Sequence, residues 1–272
     1  MRKAFIFSRL RGYIKSSVFL ILFALICNAA FSQDTSDEWL QKKSRHFVVY
    51  YKKEVIPGYI KDVISKAEYY YKEILDILGF RRFDFWTWDN RCKIFLYLSQ
   101  DEYYNDTEQP VWSGGGVVIG EREISTYIYG EDFLDSVLPH EMGHLVFREF
   151  IGEKRRLPLW LDEGVACLNE IKYKKERLKI AKSLVKSEMY MPFEVFNGIN
   201  DPQTIILSRI FYSQSASMVN FLVQEFGSDS FFEFSRRIRD GQSWLEALEG
   251  VYKYKGIEEL GQAWIESIKD ED

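Results

Sequence analysis

Residues 138–166 read LPHEMGHLVFREFIGEKRRLPLWLDEGVA, and two helices can be read out of them. Phe133, Leu134, Val137 and Leu138, then Leu145, Val146, Phe147 and Phe150, suit a buried helix. Gly152 and the charged run Glu153 to Arg156 make a turn, and Pro158 sits where a second helix can start. On the first helix His140 and His144 are four residues apart and share a face, so each can aim a ring nitrogen at one cation. Glu141 lies about 100° round that helix from His140. There it reaches a water on the cation without ligating the cation itself. Glu163 comes nineteen residues after His144, and packing the two helices together would bring it opposite the histidine pair.

Two imidazoles alone do not make a catalytic zinc site; three protein ligands and a water do. His140, His144 and Glu163 supply the three, and Glu141 is the carboxylate that takes a proton from the water as it attacks a carbonyl. The chain has only three histidines, so two of the three falling in this one motif is informative. The third, His46, lies in an apparent strand and is read as structural.

Upstream of the motif the patterning is that of strands with one helix. His46 to Tyr51 (HFVVYY) is rich in strand formers. Pro57 opens a helix with Ile60, Val63, Ile64, Ala67, Tyr71, Ile74, Leu75 and Leu78 on the 3.6-residue period, ending at Gly79. Lys93 to Leu98 alternates as a second strand. Val117 to Ile119, after Gly114 to Gly116, and Ile124 to Tyr129 are two more, joined by a turn at Gly120 to Glu123. From Asp132 onward helices dominate. Met218, Val219, Leu222, Val223 and Phe226 make one stripe, Ser228 is placed to cap the next helix, and Ser243 with Glu246 forms a capping box for a third. Ile257, Leu260, Trp264, Ile265 and Ile268 stripe the last.

This order predicts an α+β fold rather than a βαβ-wound sheet. It has a small sheet, mostly antiparallel or mixed, with one helix, followed by an all-helical half. The expected division is a sheet-containing lobe over 33–130 and a helical lobe over 131–272, with the zinc site in the cleft between them.

The first 32 residues stand apart. They carry Arg2, Lys3, Arg9, Arg11 and Lys15, no acid, an apolar run from Val18 to Ile26, and small residues at Ala30 and Ser32. That is the pattern of a secretory signal cleaved before Gln33; the alternative is an uncleaved membrane anchor. The run falls short of the ~20 apolar residues that span a bilayer. Bulky Ile26 argues against lipid attachment at Cys27. Export would leave the protein periplasmic or secreted. Without this segment 31 basic residues face 41 acidic ones, a net charge of −10, which excludes the phosphate-neutralising surface of a nucleic-acid-binding protein. Any membrane contact is expected through the N-terminal segment alone. Cys92 and Cys167 allow either one disulfide or two buried thiols.

HEMGH followed by WLDEG resembles the gluzincin metallopeptidases, and in detail the peptidase MA-like domains of bacteria. HFVVYY before a long helix, KIFLYLSQDEY, LPHEMGHLVF, PLWLDEGVA and FYSQSASMVNFLVQEFG occur in the expected order, from about Arg45 to Ile268. The resemblance implies a zincin-like fold, Zn2+ on His140, His144 and Glu163, Glu141 as general base, and a peptide or protein substrate. It also makes Tyr212, just before a helix over Ser213 to Phe226, the candidate donor to a developing oxyanion; the alternative is a half-buried aromatic. Asp162 is either a residue that orients a ligand histidine or an exposed acid at a helix start. Cys167, one turn beyond Glu163, is read as packing. Gluzincin geometry further suggests that Val117 to Ile119 or Ile124 to Tyr129 pairs with an extended substrate, with Gly114 to Gly116 as a mobile rim.

The function expected is that of an extracytoplasmic zinc metallopeptidase. Two alternatives stand beside it: another zinc-dependent hydrolase on the same ligands, and a non-catalytic envelope or surface-binding protein that keeps zinc for structure. A structural zinc normally has four protein ligands, and the sequence offers no evident fourth.

Overall fold

The strand segments assemble into one five-stranded sheet in a computed structural model that describes residues 39–107, 114–128, 133–200 and 208–270. The expected export segment lies outside the described residues, as do Tyr129 and Asp132. In chain order the strands are β1 (Leu40–Lys43), β2 (Phe47–Tyr51), β3 (Cys92–Tyr97), β4 (Gly115–Val118) and β5 (Glu123–Tyr127). Their spatial order is β1-β2-β3-β5-β4. The outer pairs β1–β2 and β4–β5 are antiparallel, and the inner pairs β2–β3 and β3–β5 are parallel. The sheet is therefore mixed.

The fold is α+β with a small mixed sheet, as expected. Within it the helix α1 (Pro57–Ile77) connects β2 to β3, which are parallel partners, so the sheet contains one βαβ unit without being a βαβ-wound sheet. Parallel neighbours need a crossover, and a single helix placed between two strand patterns was the sign of it. The face of the sheet that α1 covers alternates as the period of two requires. Phe47 and Val49, then Cys92, Ile94 and Leu96, then Ile124 are fully buried. The opposite face carries Tyr50 stacked on Phe95 at 4.5 Å and Trp39 edge-on to Phe95 and Tyr97.

Helix α2 (Gln100–Thr107) follows β3. Ser99 Oγ accepts from the Glu102 amide, and Glu102 Oε2 accepts from the Leu98 amide. Glu102 thus holds the amide one residue ahead of Ser99, one position earlier than in a capping box.

After a five-residue π turn, Phe133–Val137, the rest is helical: α3 (Leu138–Ile151), α4 (Leu159–Asn169), α5 (Lys174–Lys186), α6 (Phe193–Gly198), α7 (Ser208–Phe226), α8 (Ser228–Arg239), α9 (Trp244–Tyr252) and α10 (Ile257–Asp270). Residues 39–272 make one compact unit with one continuous core. That core runs from Phe47, Tyr71 and Trp86 beneath the sheet, through Phe80 and Phe150, to Trp160, Phe196 and Trp264 among the helices. Among the described residues no helix is long and apolar enough to cross a membrane.

Smaller expectations divide. The capping box at Ser243 and Glu246 is formed. Ser228 is not a cap: Gly227 holds that position at φ +82° and Ser228 is the first helical residue. Cys92 and Cys167 are buried free thiols, not a disulfide. Gly115 and Gly116 lie within β4 and form no separate rim. A Cβ on Gly115 would lie 2.6 Å from Val137 Cγ1, so the absent side chain lets β4 close onto the π turn that leads into α3.

Candidate metal centre

The π turn and α3 are tied down before the first histidine is reached. Asp135 accepts from Lys66 Nζ at 2.8 Å and Tyr70 Oη at 2.7 Å, both from α1, and its carbonyl accepts from the Lys172 amide. Behind α3, Arg122 at the β4–β5 turn makes a two-pronged pair with Glu149 at 2.7 and 2.9 Å. The histidine helix is thus held by α1 at one end and by the sheet at the other.

His140 and His144 stand one turn apart with ring centroids 4.9 Å from each other. The chain turns at Gly152, and α4 packs against α3, bringing Glu163 to both rings. Glu163 Oε2 is 3.6 Å from His140 Nε2 and 3.7 Å from His144 Nε2. Both separations are too long for good hydrogen bonds. They are near the edge of a tetrahedron around a zinc with bonds of about 2.0–2.1 Å, which is roughly 3.3–3.4 Å. One ligand atom from each of the three lies within 4.8 Å of the others, so the donor set fits a small dication.

The opposite nitrogen of each ring faces a carboxylate, the arrangement that fixes tautomer and orientation in metal-ligating histidines. Glu170 Oε1 lies 2.9 Å from His140 Nδ1. Asp162 Oδ1 lies 3.5 Å from His144 Nδ1. Asp162 is therefore not the exposed acid that its place at a helix start allowed. Its side chain is 14% exposed, and both oxygens also pair with Arg148. Glu170 was missed. Its signal was spacing: it follows Glu163 by seven residues, two turns along the same face.

A second candidate set, His140 with Cys167 and Glu170, shares the first histidine. It is already filled. Arg177 Nε and Nη2 take both Glu170 oxygens at 2.8 and 2.9 Å, so a cation there would lie against a guanidinium. Cys167, with Sγ 3.9 Å from His140 Nδ1, is buried.

The electrostatics favour a cation at the first set. Burial pulls the His144 imidazolium toward a lower pKa, yet Asp162 and Glu163 outweigh burial and hold it well above its ordinary value. Burial would raise the Glu163 carboxyl, but His144 and His140 bring it below the usual range. Asp162 is likewise raised by burial and lowered more by His144 and Arg148, to about 2. Among the described residues Glu163 has the two imidazoles to neutralise it, while Asp162 and Glu170 each have an arginine.

Glu141 is half-buried beside His140 in the first turn of α3. Among the described residues no hydrogen bond or ion pair engages its carboxylate. Tyr212 lies inside α7, in its second turn, not ahead of it. Its ring packs edge-on to Phe211 and lies under the Arg177 guanidinium, 5.6 Å from the centroid. Burial first and the Glu163 charge next push its phenol up. His46 lies elsewhere, its ring nitrogens 2.6 Å from Glu68 and 2.7 Å from Asp84.

This geometry defines a class before it defines a family: a histidine pair on one helix and a carboxylate on the next, around a space fit for a dication. The chain belongs to the peptidase MA superfamily, whose family model matches residues 91–270. The matched span takes in the β3–β5 end of the sheet and every residue of the candidate site. No curated protein matches the chain.

Proposed function

We propose that the protein is an exported zinc metallopeptidase that holds its metal on His140, His144 and Glu163. The observation that carries this reading is the convergence of both Nε2 atoms on one Glu163 oxygen, at 3.6 and 3.7 Å. Membership of the peptidase MA superfamily supports it. Zinc, when bound, polarises the scissile carbonyl and makes water acidic enough to act near neutral pH. Glu141, its carboxylate unengaged among the described residues, accepts the proton of the attacking water and returns it to the leaving amine. Glu170 and Asp162 orient the two histidines, and the Tyr212 hydroxyl donates to the developing oxyanion.

Of the two segments suggested for substrate pairing, β5 is internal between β3 and β4 and β4 is last in the sheet order among the described residues, which supports β4 as the strand that pairs with an extended peptide. The basic and apolar N-terminal segment supports export, and N-terminal sequencing of the mature chain checks it: a start at Gln33 is expected.

The function is tested by metal analysis and peptide-library cleavage of wild type and Glu141→Gln. About one zinc per chain is expected in both, with cleavage in the wild type only. A wild type that binds zinc and cleaves nothing would refute the peptidase reading and leave the zinc site standing.

A further inference from the structure

Arg177 belongs to α5, a helix that contributes no ligand, yet its side chain is only 20% exposed and is aimed at the site. Two of its nitrogens are spent on Glu170, which is 3% exposed and also faces His140 and the Cys167 thiol. The same guanidinium lies over the Tyr212 ring within cation–π range. On the other side, the His144 partner Asp162 is held by Arg148 from α3, the helix of the histidines themselves. The two halves of the outer shell thus differ: one is closed within α3 and α4, and the other depends on a third helix.

We infer that Arg177 is a positioning residue that sets two parts of the site at once, His140 through Glu170 and Tyr212 through its ring. This inference rests on the zinc-peptidase reading of the site. A planar fork can hold both Glu170 oxygens and still present a face to an aromatic ring, which an ammonium cannot do. Removal of the fork leaves the buried Glu170 with His140 and the weakly donating Cys167 thiol but no cation to fix its plane, and His140 Nδ1 loses a fixed acceptor. It also leaves the exposed side of Tyr212 unpacked.

The test uses the full chain with Arg177→Met, Arg177→Lys, Glu170→Gln and the Glu170→Gln/Arg177→Met double variant. Zinc affinity is read by competition with a chromophoric chelator, and folding by thermal unfolding of the metal-free protein. Arg177→Met and Glu170→Gln should each weaken zinc by about 10–100-fold. The double variant should be no more than about threefold worse than Glu170→Gln alone, because the two residues act as one unit. Arg177→Lys keeps the charge and should remain weakened, since it lacks the fork. The double variant removes both charges together and serves where the single Arg177→Met fails to fold.

At saturating zinc, Tyr212→Phe should lower kcat more in the wild type than in an Arg177→Lys background, with KM little changed. Zinc affinity of Arg177→Met and Arg177→Lys within about twofold of wild type, or losses that multiply in the double variant, would overturn the link to His140. An equal Tyr212→Phe effect in both backgrounds would overturn the link to Tyr212. A wild type that binds no zinc would instead refute the reading of the site itself, so the two failures are distinct.

Discussion

Gly164 follows the third ligand, and replacing it with alanine tests whether helix packing sets the metal centre. A Cβ there would lie 2.6 Å from the Ser215 carbonyl oxygen, 2.6 Å from Val219 Cγ2 and 3.0 Å from the Ser215 carbonyl carbon. Ordinary contact begins at 3.4 Å, so the shortfall is about 0.8 Å. Neither obstacle moves alone: one is helix backbone in α7, and the other is a β-branched side chain with one preferred rotamer in a helix. Helix α4 must therefore move from α7 by something near 0.8 Å, carrying Asp162 and Glu163 with it. The 3.6 and 3.7 Å separations from the histidines change on that scale, beyond the roughly 0.5 Å tolerance of a preorganised site.

Overpacking of this kind costs about 1–3 kcal/mol, offset by up to about 1 kcal/mol from the better helix propensity of alanine. Thermal unfolding should fall by about 2–4 °C for each net kcal/mol, and zinc affinity by about tenfold or more. Gly58→Ala is the control. It lies in the first turn of α1 with nothing within 4 Å of its Cβ position, and should leave zinc affinity unchanged. A Gly164→Ala protein that melts lower yet binds zinc like the wild type would refute the coupling of packing to site. One that changes in neither respect would refute the close approach itself.

Two further outcomes follow from buried groups. Without a bound metal, His144 and Arg148 outweigh burial and hold the Asp162 carboxyl down to about 2, against an ordinary 3.8. Its contribution of about 2 kcal/mol is therefore fully present above pH 4 and is lost as pH falls toward 2. Urea unfolding of metal-free Asp162→Asn should lack that part of the slope between pH 4 and 2, and a slope equal to wild type would refute the assignment. Burial raises the thiols of both Cys92 and Cys167, so neither should react with a thiol reagent until the chain is unfolded. Peptide mapping under non-reducing conditions would contradict this by finding the two cysteines linked.

Much of the fold was legible because the elements carry their own signals. Pro57 and the apolar stripe of α1 mark its start and period, and Ser243 with Glu246 marks the start of α9. What could not be read was pairing. Strand β1, Leu40–Lys43, is exposed at every position and has no apolar alternation, so only its ladder with β2 makes it a strand. The parallel pairing of β2 with β3 depends on a crossover, and the helix period of α1 says nothing about which strands it joins. Conversely, Gly114 to Gly116 looked like a loop because glycine is a poor strand former. The cause was tertiary: Val137 occupies the space a Gly115 side chain would need.

The site divides along the same line, between what one helix determines and what several helices determine together. His140, Glu141 and His144 share two turns of α3, and their relative placement follows from helix geometry alone. Glu163 could be paired with them from the turn at Gly152 and the start at Pro158, because α3 and α4 are adjacent in sequence. Glu170, at the end of α4, could have been paired with Glu163 by its seven-residue spacing. Arg177 could not, because it belongs to α5, whose mean composition is that of a solvated helix. An arginine there is an ordinary surface residue until the fold buries a carboxylate beside it. A charge with no local reason to be buried, found 20% exposed with both its contacts leading to the site, is stabilised by the site and in turn holds it. This is why Arg177→Lys, conservative by charge, is expected to disturb zinc binding more than the loss of an exposed pair such as Arg209 with Glu176.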